Sequence, residues 1–242
     1  MTPAINTFFG QVAVINLKFR LDRRAEMGEQ LRRIGLGFDS PDVQLFEAVK
    51  PPDAAGFSSI GAHGCFMSHL TLLRAARARG ASSLLIIEDD LNFADNFNAK
   101  FGVTARFLEA KGWGMWYGSY FLDQPPALCD APCIQVEPQR SIGTSAFLAI
   151  NGPHIDALVV YLEAMLGRPP GDRQGGPMHI DGAYCWFRRS HPEVLTWLAT
   201  PALGFQRSSR TDVHTLRWFD RLNWFAGWIA TARRWRNRLR AW

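Results

Sequence analysis

Apolar residues in the first ninety positions fall into short runs that alternate with helix-like segments. The runs at 12–17, 45–49 and 82–87 predict buried strands. Between them, residues 22–33 and 65–79 have the spacing of amphipathic helices, and Gly35 and Gly80 stand where those helices would end. A β-α-β-α-β order with short connections predicts a right-handed, mostly parallel sheet flanked by helices.

The second half of the chain is less regular. Segments at 113–117 and 144–150 predict strands, residues 153–166 predict a helix, and a loop rich in glycine and proline follows at 167–177. The sequence contains no internal repeat, no G-x-G-x-x-G motif and no P-loop, which argues against dinucleotide or ATP chemistry. We expect one α/β domain over residues 1–215 and a separate tail over residues 216–242.

Three adjacent acids, Glu88, Asp89 and Asp90, end the third predicted strand. Ligands of open α/β sheets bind at the carboxyl ends of the strands, where Asn16 ends the first strand. Residues two apart in an extended segment face the same way, so Glu88 and Asp90 should converge while Asp89 points oppositely. Two carboxylates at one site suit Mg²⁺ or Mn²⁺. An ordinary acidic loop or a helix cap after the strand is the alternative.

The composition is that of a globular protein with an ample core, since 47% of the residues are hydrophobic. Four cysteines are too few and too scattered for a disulfide framework, and Cys129 and Cys133 lack a second pair at zinc-finger spacing. We therefore expect a reduced, cytoplasmic setting. The first residues do not have the pattern of a signal peptide, and no stretch approaches the ~20 apolar residues of a membrane span.

The positive charge is concentrated in residues 216–242. This tail has seven arginines against one acid, so the other 215 residues, with 20 basic and 21 acidic side chains, are nearly neutral. Within residues 228–242, tryptophans fall on one helical stripe and arginines lie off it, which is typical of a helix in an anionic membrane interface. A helix docked on the protein's own core is one alternative. Nucleic-acid binding is another, although the neutral body argues against it.

An ordered series of short motifs resembles glycosyltransferase family 25. The series runs through residues 15–17 with the arginines at 23–24, Gly64-Cys65 with Ser68-His69, residues 87–90, residues 143–148, the region of Asp181, and residues 201–206 and 209–212. That family includes bacterial lipopolysaccharide galactosyltransferases and the collagen galactosyltransferases. The resemblance implies a GT-A fold, a UDP-sugar donor, usually UDP-galactose, a divalent metal at the acidic motif, and inversion at the anomeric carbon.

The resemblance and the strand-end geometry together define an expected site. We expect the metal at Glu88 and Asp90, completed by His214, although a lone late histidine is more often structural. Donor binding is expected from the residues around the strand ends and the first two helices: Asn16, Leu17, Arg23, Arg24, Ser68, His69, Glu88 and Asp89. Arginine forks match phosphate oxygens, although a solvated helix face remains the alternative for at least one of the two arginines.

Asp181 is the candidate catalytic base or an acid of the acceptor site. The alternative is a helix N-cap, because residues 182–188 have a helical pattern. Two positions depart from the family pattern: Ala62 stands where the family commonly has glutamate, and the loop at 50–52 differs from the usual glycine-containing turn. Both departures bear on substrate details and on activity.

The sequence thus predicts a cytoplasmic, peripheral-membrane glycosyltransferase with Mn²⁺ or Mg²⁺ as cofactor. It would transfer a hexose, with galactose expected, from a UDP-sugar to lipopolysaccharide or another surface glycan, on the inner leaflet and without nucleic acid. One alternative is a catalytically degenerate member of the same fold that binds a glycan or nucleotide. Another is a metal-dependent phosphohydrolase, which usually needs more ligands than one triplet supplies.

Overall fold

The computed structural model describes residues 3–124 and 130–207. The strands of this part of the chain are β1 (Val12–Asn16), β2 (Val43–Glu47), β3 (Ser83–Glu88), β4 (Leu91–Phe93), β5 (Met115–Tyr117), β6 (Cys133–Gln135), β7 (Phe147–Asn151), β8 (Thr196–Ala199) and β9 (Gly204–Gln206). The helices are α1 (Ile5–Phe8), α2 (Leu21–Arg33), α3 (Ile60–Ala78), α4 (Phe97–Lys111), α5 (Gly152–Leu166) and α6 (Ile180–Ser190).

Seven strands form the central sheet in the order β2-β1-β3-β7-β5-β8-β6. Strand β1 pairs in parallel with β2 and β3, and β5 pairs in parallel with β8. Strand β7 is antiparallel to both β3 and β5, and β6 is antiparallel to β8. Five strands therefore run in one direction and two in the other. The predicted α/β class, with a mostly parallel sheet flanked by helices, is confirmed.

Successive side chains along β1 point to opposite faces of the sheet and pack in two different cores, which explains why the strand is almost entirely apolar. Ala13 and Ile15 pack in the core that helices α3, α5 and α6 cover. Val12 and Val14 pack in the opposite core, which α1, α2 and α4 cover. Every residue of β1 is consequently buried. Because helices cover both faces of the sheet, the carboxyl ends of the neighbouring strands β1 and β3 are held rigidly side by side.

The helix on which the site depends begins earlier than the hydrophobic pattern predicts. Helix α3 starts at Ile60, because the Ser59 hydroxyl accepts a hydrogen bond from the Ala62 amide and caps the first turn. It ends before Gly80, whose φ of +60° is the left-handed conformation that glycine adopts freely. Strand β2 ends at Glu47, two residues before the predicted end, so residues 48–51 leave the sheet and run past the start of α3.

A short second sheet returns the chain to the acidic turn. Strand β9 pairs antiparallel with β4, which follows the three acids directly, and Leu91 is registered with Gln206. The amide of Arg207 then donates to the carbonyl of Asp90 at 2.6 Å. Residues more than a hundred positions apart in the sequence thus meet beside the end of β3.

The tail over residues 216–242, its amphipathic segment 228–242 and His214 lie outside the described residues. The expectations about them stay predictions. Among the helices of the described part, none is long and apolar enough to cross a membrane.

Candidate active site

Glu88 is the last residue of β3, and Asp89 and Asp90 form the turn that leads into β4. The Glu88 amide donates to the Ala146 carbonyl at 2.9 Å, which ties the end of β3 to the loop that precedes β7. Glu88 and Asp90 line one cavity together, whereas Asp89 lies away from that cavity. Glu88 and Asp90 thus share a cavity, as expected, but the turn rather than an extended strand sets the directions of Asp89 and Asp90, whose carboxylates both lie near Arg23 Nη1.

Asp89 links the acidic turn to β1 and α2 through side-chain hydrogen bonds. Its carboxylate accepts hydrogen bonds from Asn16 Nδ2 at 2.7 Å and from Arg23 Nη1 at 3.0 Å, and all three side chains are buried. Burial raises the pKa of Asp89, and the charge of Arg23 opposes that rise. The ion pair fixes the end of β1 against the end of β3.

Asp90 has weaker partners and a different electrostatic environment. Its Oδ2 atom lies 3.4 Å from Arg23 Nη1 and 3.2 Å from Gln206 Nε2, while its buried Oδ1 atom has no hydrogen-bond partner in the described part of the chain. Burial, followed by repulsion from Glu88, raises the pKa of Asp90 to about 7. A buried carboxylate oxygen without a donor is costly unless a ligand satisfies it.

Arg207 holds the backbone of the acidic turn. Its guanidinium donates to the Asp89 carbonyl at 2.6 Å and to Asn92 Oδ1 at 2.8 Å, and it lies 3.2 Å from Glu26 Oε2 on α2. Burial lowers the pKa of Arg207. The residue was not among those predicted from the sequence, because its partners are mostly backbone atoms that no sequence pattern marks.

Two cavities meet at the acidic turn and share Arg23, Cys65 and Glu88 in their walls. We call the first the apolar cavity; it has a volume of about 320 Å³ and lies between the end of β1, the segment after β2 and the start of α3. Most of its wall is apolar or backbone, and its lining includes Ile15, Leu17, Phe19, Val49, Lys50, Pro51, Ile60, Gly61, Gly64 and Ser68. Its size is that of a small-molecule site.

The second, which we call the acidic cavity, has a volume of about 490 Å³ and contains Glu88, Asp90 and Asp181. Asp181 lies in the first turn of α6, which begins directly after the N-cap residue His179. The N-cap is thus His179 rather than Asp181, and both residues line this cavity. Asp181 Oδ2 accepts a hydrogen bond from the Thr144 amide at 3.4 Å.

Thr144 occupies an unusual conformation beside Asp181. Its φ is +63°, which is rare for a β-branched residue, and its hydroxyl lies 3.3 Å from Gln206 Oε1. Strained backbone of this kind persists only where the surroundings impose it, and it is concentrated at functional sites. The loop before β7, the start of α6 and the end of β9 therefore fix one another at the wall of the acidic cavity.

Ser68 and His69 are buried in α3 and have different surroundings. The Ser68 hydroxyl donates to the Gly64 carbonyl at 2.7 Å and accepts from the Val49 amide at 2.8 Å, so it links α3 to the segment after β2. His69 Nδ1 lies 2.9 Å from the Tyr184 hydroxyl, and its Nε2 lies 3.5 Å from Glu88 Oε1. Neither arrangement is that of a nucleophile with its base.

Arg24 is not brought to either cavity. It is exposed on α2, and its guanidinium lies over the Phe38 ring, 5.8 Å from the centroid. The helical spacing explains this, because Arg23 points into the fold and its neighbour is rotated by about 100°. Asn16 likewise lines neither cavity and acts through Asp89. His69 lines neither cavity but contacts Glu88 at 3.5 Å. The expected site residues that the structure does place on the walls of the two cavities are Leu17, Arg23, Ser68, Glu88, Asp89, Asp90 and Asp181.

The charges at the turn fit a divalent cation. Around the two cavities, five carboxylates face three cations, so two negative charges remain when all five are ionised; the carboxylates are Glu26, Glu88, Asp89, Asp90 and Asp181, and the cations are Arg23, Lys50 and Arg207. Asp90, whose buried Oδ1 atom has no hydrogen-bond partner in the described residues, lines the acidic cavity together with Glu88. Hard oxygen ligands of this kind are those that Mn²⁺ and Mg²⁺ take. The residues present therefore fit the expected metal.

Comparison with known sequences bears on this arrangement directly. Residues 57–119, which carry α3, β3 and the acidic turn, match the sequence model of glycosyltransferase family 25, described as an LPS biosynthesis protein. The predicted resemblance to that family is confirmed. The human inactive glycosyltransferase 25 family member 3 is 29% identical over 127 residues, which are 45% of this chain and 21% of that protein. Procollagen galactosyltransferase 1-B of Xenopus laevis is 26% identical over 117 residues, 42% of this chain and 19% of that protein.

The chain spans about a fifth of the length of these family 25 relatives. The fold is also similar to that of a glycosyltransferase involved in the glycosylation of the major capsid of PBCV-1, with a TM-score of 0.50 and 10% identity over 83% of this chain and 93% of that one. At such low identity the likeness concerns the fold alone, and it confirms the predicted GT-A type. The sequence similarity is thus to glycosyltransferase family 25, and the fold similarity is to a glycosyltransferase.

Proposed function

We propose that this chain is an inverting hexosyltransferase that takes its sugar, with galactose expected, from a UDP-sugar and requires Mn²⁺ or Mg²⁺. The observation that supports this most is the buried Asp90 carboxylate, which has an unpartnered oxygen beside Glu88 at the junction of two cavities. Two adjoining cavities with a charged junction suit a reaction between two substrates. Transfer between a donor and an acceptor is such a reaction.

The apolar cavity is the proposed donor site. Leu17 and Phe19 offer an apolar surface to a nucleobase, and Lys50, whose ammonium lies 5.0 Å from the centre of the Phe19 ring, offers a positive charge. Arg23 lies where this cavity meets the acidic one, so its guanidinium is placed to contact a diphosphate. A nucleotide in this orientation would point its sugar towards Asp181.

Glu88 and Asp90 would hold the metal, with His214 as a proposed further ligand. The bound cation would neutralise the departing diphosphate as a Lewis acid. Asp89 would act indirectly, because its bonds to Asn16 and Arg23 fix the turn on which the two ligands stand. Ser68 and His69 would position the donor-site wall and Glu88 respectively.

Asp181 is the proposed general base, which would accept the proton of the attacking acceptor hydroxyl. It lines the acidic cavity together with Glu88 and Asp90 and stands in the first turn of α6. Inversion needs one such base on the face opposite the leaving group.

The proposed acceptor is lipopolysaccharide or another surface glycan at the inner leaflet of the membrane. The tail over residues 216–242 is proposed as a separate segment, of which residues 228–242 would bind anionic lipid through their arginines and tryptophans. This would hold the chain at the cytoplasmic surface beside a lipid-linked acceptor.

The test measures UDP binding by calorimetry with and without Mn²⁺, for the intact chain and for Asp90→Ala. We expect Mn²⁺ to be needed for tight UDP binding by the unchanged chain and to have no effect on the variant. Asp95→Ala is the matched control, because Asp95 is an exposed acid five residues further on that pairs only with Arg33 among its described contacts. Unchanged Mn²⁺-dependent UDP binding by Asp90→Ala would refute the proposed metal site.

A catalytically degenerate binding protein is the second candidate, since the human relative is described as inactive. Ala62, which departs from the family pattern, is buried in the apolar core rather than placed on the walls of the two cavities, although Gly61 and Gly64 nearby line the apolar cavity. Tight UDP binding without either transfer or hydrolysis of any UDP-hexose would favour this candidate. Release of UDP from UDP-galactose would favour the enzyme.

A further inference from the structure

Cys65, His69 and Glu88 bring three different ligand atoms to one point. Cys65 and His69 stand one turn apart on the same face of α3, and Glu88 reaches them from the end of β3. The Cys65 Sγ, a His69 ring nitrogen and a Glu88 carboxylate oxygen all lie within 4.8 Å of one another. Glu88 Oε1 itself is 3.9 Å from Cys65 Sγ and 3.5 Å from His69 Nε2.

The His69 ring is oriented as a metal ligand. Its side chain is fully buried, and Nδ1 lies 2.9 Å from the Tyr184 hydroxyl. Its Nε2 atom has no hydrogen-bond partner in the described residues, yet it points at the cluster. Metal-bound histidines have this arrangement, with one nitrogen on the metal and the other donating to a fixed acceptor.

The nature of the three ligands decides which ion fits. Thiolate, imidazole and carboxylate together are the ligand set of Zn²⁺, whereas Mn²⁺ and Mg²⁺ prefer oxygen ligands alone. The distances from Glu88 Oε1 to Cys65 Sγ and to His69 Nε2, 3.9 Å and 3.5 Å, are close to the spacing of ligands around a tetrahedral zinc ion, whose bonds are about 2.0–2.3 Å long. Cys65 and Glu88 also line both cavities, so the fourth coordination position of a zinc ion held here would face solvent or substrate.

We propose that Cys65, His69 and Glu88 form a thiophilic metal site that takes Zn²⁺ and is distinct from the proposed Glu88–Asp90 site. On binding, the Cys65 thiol releases its proton to solvent and its sulfur becomes a ligand. The two sites share Glu88, so occupation by zinc withdraws that carboxylate from the oxygen-ligand site. Zinc therefore antagonises Mn²⁺ at the end of β3.

The experiment titrates Co²⁺, a spectroscopic substitute for zinc, into the full chain in reducing, nucleotide-free buffer. One equivalent of Co²⁺ should produce a thiolate-to-cobalt absorption band in the near ultraviolet, and Zn²⁺ should abolish the band by displacement. Cys65→Ser should lose the band completely, and His69→Gln should lose tight binding. Tyr184→Phe should weaken binding by about tenfold, because it removes the partner of Nδ1.

Matched controls separate this site from other thiols, histidines and acids. Cys133→Ala removes a buried thiol elsewhere, His63→Gln alters a histidine on the same helix, and Asp90→Asn removes the other proposed metal ligand. All three should keep the band, with folding of every variant verified by its melting temperature. Absence of the band in the unchanged chain, or its persistence in Cys65→Ser, would overturn the proposal.

The result is independent of the transferase activity, because the absorption band needs neither nucleotide nor acceptor. Loss of Mn²⁺-dependent UDP binding in Asp90→Ala with an intact cobalt band would support both proposals. An intact band without any UDP binding would support the zinc site and refute the proposed function.

Discussion

At the scale of single residues, two adjacent carboxylates have opposite roles because their partners differ. Asp89 accepts a short hydrogen bond from Asn16 and forms an ion pair with Arg23, whose positive charge balances that of the Asp89 carboxylate. Asp90 has one unpartnered oxygen, and burial together with repulsion from Glu88 raises its pKa to about 7. The sequence predicts that Glu88 and Asp90 share a site, but the partners of Asp89 and Asp90 come from β1, α2 and β9 and depend on the tertiary fold.

Asp181→Asn tests the proposed base. We expect kcat to fall by about 10²–10⁴-fold, because the amide cannot accept the acceptor's proton, while UDP binding stays unchanged. Steady-state kinetics with calorimetric UDP binding measures both effects. Asp172→Asn in the exposed loop at 167–177 is the control and should retain full kcat. An unaltered kcat in Asp181→Asn would exclude Asp181 as the base.

Much of the site can be predicted at this scale, and the exceptions have physical reasons. Leu17, Glu88 and Asp90 are found at the cavities because they stand at or just after strand ends, and Arg23 because it lies in the first turn of the helix that follows β1. Arg24 is not, because one helical step turns it to solvent. Arg207 could not be predicted from the sequence, because backbone carbonyls of the acidic turn are its main partners.

At the scale of elements, helix α6 is fixed by one buried cation. Arg188 is 1% exposed, and its guanidinium donates to the carbonyls of Val136, Glu137 and Arg140 and to the Thr196 hydroxyl. It therefore connects α6 to β8 and to the segment that follows β6. The position of Asp181 at the other end of α6 depends on these bonds.

Arg188→Leu should consequently destabilise the fold by about 3 kcal/mol or more, since three carbonyls lose their donor and each costs about 1–3 kcal/mol. Arg189→Leu is the neighbouring control. Arg189 is exposed, so that change should stay within about 0.5 kcal/mol. Urea unfolding measures both values. Equal stability of the two variants would contradict the role given to Arg188.

Helix α3 and the segment after β2 approach each other closely at Gly64. A Cβ atom there would lie 2.6 Å from the Val49 carbonyl oxygen and 3.2 Å from Pro51 Cδ. Gly64→Ala should therefore destabilise the protein by about 1–3 kcal/mol and weaken UDP binding at the apolar cavity. The matched change Gly28→Ala in α2 meets only Phe38, at 3.5 Å, and should stabilise by about 0.5–1 kcal/mol. Chemical denaturation measures the change in the free energy of unfolding, which should be a decrease for Gly64→Ala and an increase for Gly28→Ala.

The sequence predicts the elements unevenly. Strands β1 and β3 and helices α2 and α5 lie close to their predicted bounds, because each has a regular apolar pattern and glycine or proline near an end. The sequence pattern does not predict helix α4, because its apolar and polar faces are weakly contrasted. The three-residue strands β4, β6 and β9 are too short for a period to appear, and their pairing over long distances in the chain defines them.

At the scale of the whole molecule, a nearly neutral body is joined to an arginine-rich tail. Replacing the arginines at 233, 234, 236, 238 and 240 by glutamine should abolish binding to vesicles containing anionic lipid, since each arginine near such a surface contributes about 1 kcal/mol. Cosedimentation measures the effect, and neutral vesicles serve as the control. Undiminished binding of the substituted chain would exclude the tail as the electrostatic contact.

The pairing of β9 with β4 also has a consequence for the nascent chain during translation. Gln206, which donates to Asp90, is 116 positions later in the sequence, and ribosomes need roughly ten seconds to add that many residues. Until then, the acidic turn lacks the hydrogen bonds that Gln206 and Arg207 donate to it. The contacts that complete the surroundings of Asp90 can therefore form only late in translation, after both layers of helices have been synthesised.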